Sequence, residues 1–274
     1  MLTKSQTRLI TGLIIGFTAF FAIINGGIPL ALLVMVIVVL ASKEYTIILK
    51  NKGFLPSLKI MILTGFLFTF AAYLGKPDWG LQIFTILTFV SFMWVLFRGK
   101  QPYIANVATT ILGAVYCGWF PAHLLMLRDI GFMGYPLMLL FGVILTDTMC
   151  YYVGSKFGKH KLAEVISPNK TVEGAIGGSI TCIVFSLVFG YFIQLEWYHS
   201  LVLGILIAAF AQIGDLCESM IKRDAGVKDS SDILPGHGGF LDRTDSYVLT
   251  IPVMYYYLQL FVQNNFLDLL KGLF

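Results

Sequence analysis

Residues 201–224, "LVLGILIAAFAQIGDLCESMIKRD", form an apolar run that ends in charge. About 18 or more mostly apolar residues are enough to cross roughly 30 Å of hydrocarbon as a helix, so the segment reads as a membrane span. It carries Asp215 about seven residues before Lys222 and Arg223, which puts the acid about 10 Å below the surface at 1.5 Å per residue. A carboxylate at that depth is costly unless it faces a polar cavity and has a partner. The same stretch therefore points to a membrane fold and to a functional site.

The rest of the chain agrees. Hydrophobic residues make up 57% of it and charged ones only 12%, and the mean hydropathy is +0.82, values of a polytopic membrane protein and not of a soluble enzyme. Apolar segments lie near residues 8–25, 28–43, 59–75, 80–97, 104–126, 132–154, 174–195, 199–221 and 246–263. The predicted class is an all-α polytopic membrane protein of about nine transmembrane helices. The boundary between the first two segments rests on "NGG" at 25–27. Lys4 and Arg8 precede an apolar run, as in a secretory signal, but no small-residue cleavage site follows it, and the segment reads as a retained span.

Charge sets the orientation. With the N-terminus inside and nine alternating spans, every Lys and Arg except Lys76, Arg128 and Lys271 falls on the inner side, as the positive-inside rule requires. The N-terminus is expected to be cytoplasmic and the C-terminus outside. The net charge of +4 is then a topology signal with some attraction to anionic headgroups, and nothing in it calls for a nucleic acid. Cys117, Cys150, Cys182 and Cys217 fall in separate apolar segments without metal-ligand spacing and read as packing residues. No long linker, low-complexity tract or clear repeat divides the chain, so 1–274 is expected to be a single integral membrane domain.

Two inner loops are long enough to do chemistry: "GSKFGKHKLAEVISPNKTVEG" at 154–174 and "SMIKRDAGVKDSSDILPGHGGFLDRTDS" at 219–246. An acid precedes each at the same depth, Asp147 and Asp215. A helix-to-helix hydrogen bond is the other role open to Asp147. For Asp215 the helix itself adds an argument, because residues three, four and seven positions on share a face. Asp215, Glu218, Ser219 and Lys222 thus form a polar stripe, expected to line a cavity open to the cytoplasm, with oxygen donors suited to a hard divalent cation such as magnesium.

Asp242 and Asp245 are three apart at the start of the last apolar segment, with Arg243 turned away from them if the helix has begun. Together with Asp215 they are expected to hold one or two metal ions. Lys222, Arg223, Lys228 and Arg243 supply positive charge for phosphate oxygens, Arg by paired hydrogen bonds and Lys as a point charge. This mixture of acids and bases suits a metal-bound polyphosphate and explains why so much charge gathers in 219–246. His237, between Gly236 and Gly238, is open to bonding a phosphate, relaying a proton or capping a turn; the phosphate contact is favoured, and it is not read as a general base. Gly174 and Gly178, one turn apart, are read as a close helix-packing surface.

Ser219, Lys222, Arg223, Lys228, Asp229, Leu234, Pro235, His237, Gly238, Gly239, Asp242, Arg243 and Asp245 resemble, at the expected spacing, the signature of the CDP-diacylglycerol synthase, or phosphatidate cytidylyltransferase, family. "SPNKTVEG" at 167–174 resembles a second motif of that family, and the span count fits its fold. The signature region, 215–245, covers about a tenth of the chain; the N-terminal half matches only in hydrophobic character. The resemblance implies that CTP and phosphatidic acid give CDP-diacylglycerol and pyrophosphate, with magnesium as cofactor and potassium as its companion in a paired cation centre. It places that centre at Asp215 and Asp242, which we read as the principal metal ligands, with Asp245, Glu218 and Asp147 supporting. Asp215, Asp242, Lys222 and Arg223 would be catalytic, while Ser219, Lys228, His237, Arg243 and Lys170 bind substrate. A bacterial cytoplasmic (inner) membrane with the active site facing the cytoplasm, membrane lipids as surroundings and an optional homodimer complete the expectation. The alternatives are a related CTP-dependent enzyme acting on another lipid phosphate and, with less support, a secondary transporter, although broken helices and paired repeats are not visible in the sequence.

Overall fold

The computed structural model describes residues 4–131, 133–228, 230–231 and 238–263. Among them the helices are α1 (Lys4–Asn25), α2 (Gly27–Asn51), α3 (Leu58–Tyr73), α4 (Trp79–Arg98), α5 (Tyr103–Gly131), α6 (Gly134–Phe157), α7 (Val172–Phe192), α8 (Trp197–Asp224) and α9 (Leu241–Tyr257). A π-helical turn, Val115–Trp119, interrupts α5, and another, Leu258–Gln263, continues α9. Six of the helices, α2 and α4–α8, are long and apolar enough to cross a membrane; α3 and the apolar part of α1, Ile10–Asn25, are shorter. Large side chains such as Phe89, Leu96, Phe97, Val184 and Val188 remain on the surface, an outer coat that suits lipid and not water.

Local chemistry explains the boundaries. The chain breaks at "NGG" because Gly26 and Gly27 take positive φ angles of 63° and 49°, a region that costs other residues a steric penalty. α2 runs to Asn51, beyond the apolar segment ending at 43, because Ala41, Tyr45, Ile48 and Leu49 continue its buried face. The all-α expectation needs one correction. The loop after α6 contains an antiparallel hairpin, β1 (Lys161–Ala163) with β2 (Ser167–Thr171), pairing Lys161 with Thr171 and Ala163 with Ser167. Pro168, which disfavours continuing a helix, lies in β2.

The chain gathers into two compact units, Met1–Met126 with Met220–Thr244, and Leu127–Ser219 with Asp245–Phe274. In the first, α2, α3 and α5 pack through small residues: a Cβ on Gly118 would lie 2.8 Å from the Gly65 Cα, and one on Gly65 2.4 Å from Val38. Such contacts replace the hydrophobic drive that lipid removes. In the second, α6 and α7 approach as closely. A Cβ on Gly178 would meet the Cys150 sulfur at 2.3 Å and the Thr146 carbonyl at 2.8 Å, and one on Gly174 the Cys150 carbonyl at 2.6 Å. Both glycines thus have the packing role read from their spacing. Gln212 of α8 ties to α7 through Ser179 Oγ at 3.0 Å. Cys117 and Cys182 are buried while Cys150 and Cys217 are half-buried, and all four are free thiols.

Candidate active site

The "SPNKTVEG" motif has a local structural logic. β2 ends at Thr171, whose side chain caps α7 by accepting the Gly174 N–H at 3.2 Å, which satisfies one of the helix's orphan donors. Glu173, in the first turn, accepts the Lys159 N–H at 3.0 Å and contacts His160 Nδ1 at 2.6 Å, so the hairpin is fastened to the helix start. Gly174 lets α7 approach α6. Lys170, one residue ahead of the cap, is thereby held in a fixed direction, and its Nζ lies 2.7 Å from Asp215 Oδ2. The lysine read as a substrate contact from the neighbouring loop does meet the acid of α8.

Around that ion pair the second unit collects acids. Ser219 donates to the other Asp215 oxygen at 3.4 Å, as the four-residue spacing requires. Asp147, Asp215 and Glu218 all act electrostatically on Asp245, which is only 7% exposed, and Ser246 hydrogen-bonds Asp147. Four carboxyl groups from α6, α8 and α9 therefore share a region into which Lys170 brings one ammonium. The polar stripe on α8 differs from expectation in one respect. Asp215 is half-buried, but Glu218, Ser219 and Lys222 are buried, so the stripe is packed over much of its length and is not an open cavity wall.

The first unit holds the signature loop. Lys222 Nζ is 2.5 Å from Asp242 Oδ1, and both side chains are largely buried. The other Asp242 oxygen accepts the backbone N–H of Gly239 at 2.9 Å, that of Ser230 at 3.2 Å, and the Ser230 hydroxyl at 3.0 Å. Burial alone would raise the Asp242 pKa, but Lys222 and the two backbone N–H groups outweigh it and hold the carboxyl below its usual range. The paired glycines follow from this geometry. Gly238 takes φ 80°, and a Cβ on Gly239 would lie 1.6 Å from Ser230 Oγ and 2.9 Å from Asp242 Oδ2.

α9 has begun by Asp242, and Arg243 is exposed. Arg223 and Lys228 are also exposed, with Arg223 donating to the Val227 carbonyl at 3.3 Å. His237, together with Asp229, Leu234 and Pro235 of the signature, lies outside the described residues. One participant went unread in the sequence. Glu44 of α2, fully buried, accepts the backbone N–H of Phe240 at 2.8 Å and of Leu241 at 2.6 Å, and the hydroxyls of Ser230 and Ser231. Its signal is the apolar "YTIIL" at 45–49, which continues the helical pattern past the acid.

Among the described residues no three His, Cys, Asp or Glu side chains are close enough to enclose a metal ion by themselves. Magnesium does not require such a cage: it takes one or two carboxylates, retains water, and uses substrate phosphates for the rest. The donors here are carboxylate oxygens, some already balanced by ammonium groups at Asp215 and Asp242. That donor chemistry fits a hard divalent cation brought in with a polyphosphate.

Fold and side chains together define a polytopic helical membrane protein that sets buried acids beside lysines, as a protein handling anionic, cation-bound substrates would. The chain belongs to the cytidylyltransferase family, whose profile it matches over residues 6–261. It is similar to the phosphatidate cytidylyltransferase of Synechocystis sp., 32% identical over 94% of this chain and 99% of that one. It is also similar to that of Bacillus subtilis, 33% identical over 93% and 98%. A third relative, the chloroplastic phosphatidate cytidylyltransferase 5 of Arabidopsis thaliana, is 31% identical over 94% of this chain and 73% of its own.

Proposed function

We infer that the chain is a phosphatidate cytidylyltransferase, joining the CMP part of CTP to phosphatidic acid and releasing pyrophosphate. The observation that carries this is its similarity, over more than nine-tenths of this chain, to bacterial and plant proteins of that name. The proposed topology is nine spans in a bacterial inner membrane, N-terminus inside and C-terminus outside, with both charged loops facing the cytoplasm. A lipid headgroup then waits at the interface while the nucleotide arrives from solution.

The reaction brings together two anions, the phosphatidate oxygen and the α-phosphorus of CTP, so stabilising negative charge is the main task. We propose that magnesium, accompanied by potassium, is held with Asp215 and Asp242 as principal ligands and Asp245, Glu218 and Asp147 in support. Bound there, it would neutralise negative charge that develops on the departing pyrophosphate. The ion pairs of Lys170 with Asp215 and of Lys222 with Asp242 support a reading in which each ammonium passes from a carboxylate to an incoming phosphate. The exposed Arg223, Lys228 and Arg243 would contact the nucleotide's outer phosphates, Arg by paired hydrogen bonds. Ser219 and His237 complete the proposed phosphate contacts. An ionised phosphate nucleophile needs little help from a base, and no side chain is assigned to that role.

The test is an assay of purified protein with labelled CTP, a panel of lipid phosphates, and magnesium present or withheld. Cytidylylated lipid should form from phosphatidic acid, with pyrophosphate, only when magnesium is present. Product from a different lipid phosphate alone would transfer the assignment to that acceptor. Uptake into proteoliposomes without conversion would make the protein a transporter.

A further inference from the structure

Glu44 lies on α2, 186 positions from Ser230 in sequence, yet its side chain ends at the signature loop. A carboxylate offers about four lone-pair sites, and four donor groups face them: Phe240 N–H and Ser231 Oγ at one oxygen, Leu241 N–H and Ser230 Oγ at the other. Two of these donors are backbone groups at the start of α9, where the N-terminal end of a helix favours a negative charge. The other two lie at the far end of the loop. One buried side chain thus clamps both ends of the segment that leads to Asp242.

Ser230 joins the clamp to the site. Its hydroxyl is 3.0 Å from Glu44 and 3.0 Å from Asp242, and a hydroxyl has one proton to donate, so it serves one carboxylate at a time while its backbone N–H stays on Asp242. We propose that Glu44 is a positioning residue for the cytidylyl-transfer reaction, holding Ser230 and the first turn of α9 so that the Asp242 carboxylate keeps its direction. The assignment rests on the proposed activity. A carboxylate is required because a Gln at 44 would turn an NH₂ group toward donors on one side and leave buried groups unsatisfied there.

The experiment uses the full chain in detergent with Glu44→Gln, Glu44→Asp and Glu44→Ala. For each, it measures thermal unfolding, turnover per folded molecule against magnesium and CTP concentration, and the rate of trypsin cleavage at the exposed Lys228. Glu44→Gln should fold, lose about tenfold to a hundredfold in turnover, need more magnesium for half-maximal rate, and be cut faster at Lys228. Glu44→Asp, which retains the charge, should recover part of each. Activity lost only in proportion to folded protein, or wild-type turnover and magnesium dependence in Glu44→Gln, would overturn the proposal. If the wild-type chain fails to cytidylylate phosphatidic acid, the functional reading fails separately. The cleavage comparison still decides whether Glu44 orders the loop, and equal cleavage rates would count against it.

Discussion

The ammonium of Lys170 stands 2.7 Å from a carboxylate oxygen of Asp215, joining the motif after β2 to the acid inside α8. Both side chains are partly exposed, 23% and 35%, so the pair contributes no more than about 1 kcal/mol to stability. Its value is placement: an ammonium is stored where a phosphate is expected to arrive.

Lys170→Met should therefore lower turnover by about tenfold or more, in line with the loss of a charge-stabilising contact, with little change in melting temperature. Lys170→Arg should retain part of the rate. Unchanged turnover in Lys170→Met, measured per folded molecule, would remove this residue from the phosphate contacts.

Asp215→Asn and Asp242→Asn should both abolish cytidylyl transfer while the protein still inserts in membranes. Their stabilities should differ. Asp242 is 14% exposed and paired with Lys222 at 11%, so its replacement removes a counter-charge from a buried ammonium and should cost about 3 kcal/mol. Asp215 is more open, and Asp215→Asn should cost less. Thermal unfolding of the two variants side by side reads the difference, and an inverted order would contradict the burial argument.

Gly178→Ala should destabilise the α6 and α7 pair. The new methyl would meet a backbone carbonyl, Thr146, at 2.8 Å as well as the Cys150 sulfur, and backbone cannot rotate aside. A loss of about 1–3 kcal/mol is expected. Gly16→Ala, with nothing within 4 Å of the added carbon, is the matched control and should be neutral. Equal melting temperatures for both would show that α6 and α7 can separate freely.

Orientation can be read by labelling. Lys161 on the hairpin and Lys76 between α3 and α4 are both exposed. In intact cells an impermeant maleimide should modify Lys76→Cys and spare Lys161→Cys until the membrane is opened. The reverse pattern would invert the proposed topology.

Much of the fold was legible because hydrophobic length and helical period are local. The apolar segments coincide with helices, and the break at "NGG" occurs where two glycines take positive φ. The pairing of Asp215 with Ser219 on one helix face followed from spacing alone. The hairpin did not follow, since strand pairs as short as β1 and β2 leave little periodic pattern. The packing of Glu218, Ser219 and Lys222 was also hidden, because burial depends on neighbouring helices that a single helix face does not specify.

The sequence by itself determined the membrane class and the motif that carries the family. Each is a property of composition or of residues close together in the chain. Only the tertiary structure decided that Lys170 meets Asp215, that Gly239 leaves room for Ser230 beside Asp242, and that Glu44 reaches the signature loop. The first and last of those relationships join segments far apart in sequence, and the second needs the loop to fold back on itself. They exist because a buried charge must find donors wherever the folded backbone brings them.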